Sequence, residues 1–76
     1  MKYPNYPSRE TIAHLCETYK KGLRVALVSM DDPYSKLKPG DKGTIDHVDD
    51  AGGIHINWDK GERLAAIWGE DEIKFI

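Results

Sequence analysis

His47 and His55 flank a polar turn, and two histidines on neighbouring strands are the first pair to test as transition-metal ligands. Register decides whether they meet. Pairing 47 with 55 sets 45 against 57 and puts Asp46 opposite Ile56 on the apolar face. Shifting by one pairs 45 with 56 and 47 with 54. Ile45, Ile54 and Ile56 then share the buried side, and Asp46 faces His55 outside. A one-residue slip sends every side chain to the other face, so burial selects the second register. It separates the histidines, leaves Asp46–His55 as a surface pair and predicts no metal site. A β-bulge near His47 would change this.

The remaining reactive residue types form no catalytic set. Cys16 falls on the apolar face of a predicted helix and reads as a small buried hydrophobe. His14, two positions away, points elsewhere and leaves the thiol without a base. Ser8, Ser29 and Ser35 lie in no nucleophile motif. Asp31-Asp32 and Asp49-Asp50 are carboxylate neighbours whose side chains diverge; they suit turns and match no calcium loop. Gly40, Gly43, Gly52 and Gly53 punctuate turns between strands and open no helix, which excludes a phosphate loop. The expectation is a non-enzyme that needs no cofactor.

The aromatics carry more. Trp58 shares a face with Ile54 and Ile56 and reads as core. Trp68 precedes a Gly-acid-acid corner, where partial exposure is expected, and exposed Trp and Tyr favour contact hot spots. Tyr34, after Asp31, Asp32 and Pro33, is a similar candidate. Asp31, Asp32, Tyr34 and Trp68 are therefore the candidate ligand-binding residues. Replacing Tyr34 by Ala should weaken such binding.

These residues must be positioned by a small framework. The chain has 76 residues, 32% of them charged and 39% hydrophobic, enough for one soluble domain and too few for two. No apolar run approaches a membrane span, and the opening MKYPNYPSRE lacks a signal peptide's apolar core. A lone cysteine excludes an internal disulfide and suits a reducing cytoplasm. Net charge is −2, unevenly spread. Residues 1–24 hold five basic groups against two acidic, a balance of +3; the remainder holds six against eleven, a balance of −5. An acidic body repels phosphate backbones. The basic segment, through Lys2, Arg9, Lys20, Lys21 and Arg24, keeps nucleic acid as an alternative partner.

Pro4 and Pro7 hold Tyr3 and Tyr6 out of helical geometry. Ser8 is a good N-cap, and Ile12, Leu15, Cys16 and Tyr19 line one face of a helix over about 9–21, with Gly22 closing it. Leu23 to Met30 reads as a strand apolar on both faces, with the helix as its outer cover. A loop follows over 31–38. Lys38-Pro39-Gly40-Asp41 fits a type II turn. Strands are expected over 43–48, 54–58, 62–67 and 72–76, with a polar turn at 49–53 and a glycine-bulge turn at Asp59-Lys60-Gly61. Residues 1–22 are thus an extension and helix, and 23–76 a five-stranded antiparallel SH3-like barrel, mainly β, in one compact unit.

From Arg24 onward, RVALVSMDDPYSKLKPGDKGTIDHVDDAGGIHINWDKGERLAAI and the closing GEDEIKFI resemble a bacterial and phage family of domains of unknown function, numbered four-three-one-four. MDDPY, L-x-PGD-x-GT and VDD-x-G-x-I-x-x-NWD-x-G are specific as a set. Its pieces also look like SH3-like modules that bind proteins or RNA. The resemblance implies a barrel and brings no activity or catalytic residues. Trp68 stands where such a family is expected to carry a smaller residue or proline. The resulting expectation is a cytoplasmic protein- or peptide-binding module, monomeric or weakly self-associating, without membrane contact; the alternative is a nucleic-acid-associated accessory protein.

Overall fold

The computed structural model describes residues 8–30 and 36–76. Ser8 caps α1 (Arg9–Thr18): its backbone is extended and its Oγ accepts the Thr11 N–H at 3.1 Å. Glu10 in the first turn complements the dipole. The helix stops at Thr18, short of the expected Lys21, because Tyr19 leaves helical geometry at φ −102° and ψ 68°. A tight turn follows, and its Gly22 N–H donates to the Ile45 carbonyl at 2.8 Å. No helix among the described residues is long and apolar enough to cross a membrane.

Five strands form one antiparallel sheet: β1 (Arg24–Ser29), β2 (Lys42–Val48), β3 (Gly53–Trp58), β4 (Ala65–Ile67) and β5 (Glu72–Phe75), in the order β4-β3-β2-β1-β5. Alternation sends Val25, Leu27, Ile45, Ile54, Ile56, Trp58 and Ala66 to one face, where Leu37 completes the core. The helix lies against β2, Leu15 is buried, and Tyr19 packs on the core and stacks on Phe75 at 5.2 Å. Cys16 is exposed, which corrects its reading as a buried residue. Leu15 and Tyr19 form the line that meets the sheet, and Cys16 lies about 100° around the helix from Leu15.

The turn chemistry acts as expected. Gly40 takes φ 96°, and the Asp41 N–H closes the turn on the Lys38 carbonyl at 3.0 Å. Gly43 pairs with Trp58, and a Cβ there would stand 2.5 Å from Ile56 Cγ2, so only glycine lets β2 pass this closely over β3. The fourth strand is shorter than predicted. The Trp58 N–H closes the hairpin turn on the Glu62 carbonyl at 3.1 Å, while its indole Nε1 donates to the Leu64 carbonyl at 2.9 Å and engages that carbonyl outside the ladder.

The sheet is not closed. β4 and β5 are its two edges, and the isolated bridge of Trp68 with Asp71, three residues apart, lies within the corner that joins them. The end of β4 explains this. The Ile67 N–H donates to Asp71 Oδ2 at 2.8 Å, and its carbonyl accepts the N–H groups of Glu70 and Asp71. Both backbone groups serve the corner and none is left for a neighbouring strand.

Candidate functional site

The registers weighed from the sequence both occur, one on each side of a β-bulge. Ile45 pairs with Ile56, then His47 with His55 and Val48 with Ile54. Asp46 is the extra residue. The cause is parity: Ile45 and Val48 both face the core but stand three apart, and strict alternation cannot place them on one face. One residue must bulge out. This corrects the expected separation of the histidines. His47 and His55 stack face to face, centroids 4.2 Å apart and planes within 7°. The expected Asp46–His55 pair is replaced by two others. His47 Nδ1 meets Asp46 Oδ2 at 2.6 Å, and His55 Nε2 meets Asp49 Oδ2 at 2.7 Å.

Asp49 is fixed by its own turn. Its Oδ1 accepts the N–H groups of Ala51 at 2.9 Å and Gly53 at 2.8 Å, leaving Oδ2 for His55. Partial burial pushes the Asp49 carboxyl up, but hydrogen bonds from His55, Gly53 and Ala51 outweigh it and hold it below the usual range. The His47 hydrogen bond holds Asp46 low as well, with help from the nearby Lys21 charge. Ionised carboxylates only accept, so each imidazole donates: His47 from Nδ1 and His55 from Nε2. The other two ring nitrogens have no partner among the described residues.

Replacing Asp49 by Ala should cost about 1–2 kcal/mol, because two turn N–H groups lose their acceptor. Asp49→Asn should restore most of this, since its carbonyl accepts the same two bonds. A carboxylate depressed in the folded state stabilises above its unfolded value and loses that contribution as pH falls through the folded one. Thermal melts below about pH 4 should therefore decline less steeply for Asp49→Asn than for the native chain.

His47 separates two shallow grooves. One, of about 130 Å³, is lined by Asp46, His47, His55, Ile56, Asn57 and Arg63. The other runs toward the helix, past Cys16, Tyr19, Lys20, Lys21 and Val48. Among the described residues no three His, Cys, Asp or Glu side chains are placed to hold a metal ion together. Stacked rings also direct their in-plane lone pairs side by side and not toward one point.

Of the predicted ligand-binding residues, only Trp68 is among the described ones. Trp68 lies at the β4–β5 corner, 49% exposed, beside Ile67 at 38%. Asp31, Asp32 and Tyr34 lie outside the described residues, as do Lys2, Tyr3 and Tyr6. Arg9 is exposed at the helix start, and Lys20 and Lys21 just past its end. Arg24 is committed: its guanidinium grips both oxygens of Asp59, one at 2.7 Å, and reaches Thr44 Oγ1 at 2.9 Å. The histidine stack was missed by the sequence reading, although Val48, three residues after Ile45, carries the signal for it.

No curated protein and no solved structure matches the chain. One family model does, and it reaches back through the helix, beyond the Arg24 start of the resemblance seen in the sequence. Matching residues 8–76, it shows that the chain belongs to the family described as a domain of unknown function, DUF4314.

Proposed function

We propose that this chain is a non-catalytic protein- or peptide-binding module on an SH3-like barrel framework, with Trp68 at the centre of its contact surface. The carrying observation is a half-exposed tryptophan on a fixed corner. The Trp68 N–H is tied to the Gly52 carbonyl at 3.1 Å, Gly69 turns the chain at φ 91°, and Asp71 locks the corner onto Ile67. A large aromatic held this way loses little freedom on binding, and such residues dominate interface energetics. Glu70 and Glu72, both exposed beside it, favour a basic partner. Because Ile67 has both backbone groups engaged, the surface binds through side chains and not by strand addition. The barrel part is supported by the strand order, which puts the consecutive strands β4 and β5 at the two edges of one sheet.

The nucleic-acid alternative has less support. Arg24 is held by Asp59, and Arg9 stands about 15 Å along the helix from Lys20 and Lys21.

A peptide array spanning basic, neutral and acidic sequences tests the proposal. Peptides retained by the native chain should be lysine- or arginine-rich. Trp68→Ala should weaken them by about tenfold or more, with the melting temperature unchanged. Equal affinity of the variant would contradict the assignment.

A further inference from the structure

Four residues that line the groove beside the histidine stack carry polar groups without a partner among the described residues. Arg63 makes no hydrogen bond or ion pair among the described residues, in contrast to Arg24, held by Asp59, and Lys60, held by Asp41 at 2.9 Å. The Asn57 carboxamide is equally free. His47 Nε2 and His55 Nδ1 are the third and fourth. All four residues line one groove of about 130 Å³, open to solvent and large enough for a tetrahedral oxyanion.

Charge decides when such a ligand would enter. Around the stack stand Asp46 from the bulge, Asp49 from the turn, Arg63 from the segment before β4 and Lys21 from beyond the helix. Lys20 and Cys16 line the adjoining groove. With both histidines neutral, Arg63 and Lys21 balance Asp46 and Asp49, and the free ring nitrogens are acceptors that repel an anion. Each proton taken up converts one acceptor into a donor and adds a positive charge. Two stacked imidazolium rings repel each other, and an anion placed against them relieves that repulsion.

We propose that the His47–His55–Asn57–Arg63 groove is a phosphate-class oxyanion site whose occupancy is coupled to protonation of the stacked histidines. The anion accepts from the Arg63 guanidinium, the Asn57 amide and the two imidazolium N–H groups, while Asp46 and Asp49 hold the rings from their other nitrogens. This site is independent of the Trp68 surface.

The test is a nuclear magnetic resonance titration of the native chain with inorganic phosphate and, separately, with phosphoserine, at constant ionic strength. Both should give saturable shifts at His47, His55 and Asn57, with Kd near 1 mM or tighter, and binding should weaken as pH rises. Tighter phosphoserine binding assigns the site to phosphate esters; tighter inorganic phosphate binding assigns it to the free ion. Arg63→Gln, at an exposed position without a partner among the described residues, should keep the native spectrum and lose the saturable shifts. Changes that never saturate, saturable shifts confined to other residues, affinity independent of pH, or unchanged binding by Arg63→Gln would each overturn the proposal.

Discussion

Trp58→Ala is expected to leave the chain unfolded or nearly so at 25 °C, with loss of the dispersed amide spectrum and of a cooperative melt. The indole is 3% exposed, packed among Ile45, Ile54, Ile56 and Leu37. Truncating a buried tryptophan costs about 3–5 kcal/mol in transfer and cavity terms. A core in a domain this small supplies a net stability of about the same size. The indole N–H to the Leu64 carbonyl adds a second cost, because its loss frees the segment that leads into β4. Trp58→Phe separates the two effects. It keeps most of the ring volume and loses the hydrogen bond, so it should fold with a loss of about 1–2 kcal/mol. A well-folded Trp58→Ala protein would show that the core rests on other contacts.

The second large effect concerns the bulge, where two deletions in one strand should behave in opposite ways. Removing Asp46 takes out the residue that has no partner on β3. Ile45–Ile56, His47–His55 and Val48–Ile54 then follow one another in an uninterrupted ladder. The fold should survive, with a reduced local twist and no carboxylate on His47. Removing Thr44, only two positions earlier, deletes a paired residue. It forces either Gly43 away from Trp58 or Ile45 away from Ile56. Gly43 cannot be replaced there by a residue with a side chain without meeting Ile56, so the slip has no cheap solution. Deletion of Thr44 should abolish cooperative unfolding. Equal tolerance of both deletions would mean that register in this hairpin is weakly specified.

The parts legible in the sequence are those written locally. Ser8 announces the helix start through its own side chain, Pro39-Gly40 sets its turn by allowed dihedrals, and the alternation of Ile54, Ile56 and Trp58 marks the core face. Exposure of Trp68 followed from its place before a glycine and two acids. What escaped depends on relations between distant residues. The bulge appears only when Ile45 and Val48 are both required to face the core. The histidine stack follows from the bulge, and the His55–Asp49 pair from a turn whose backbone fixes one Asp49 oxygen and frees the other. Cys16 belongs to the apolar helix face by spacing, yet Leu15 and Tyr19 make the contact and leave the thiol outside. The fourth strand shortens because Trp58 binds the Leu64 carbonyl, a tertiary bond with no local signature.

One inserted residue, Asp46, brings two histidines together on the outer face while Ile45 and Val48 both face the core. Cross-strand proton contacts in the native chain test it most directly. Ring-to-ring contacts between His47 and His55 are expected together with backbone contacts for Ile45–Ile56 and Val48–Ile54 in the same spectrum. A single continuous register, with Asp46 opposite His55 and His47 opposite Ile54, would contradict it.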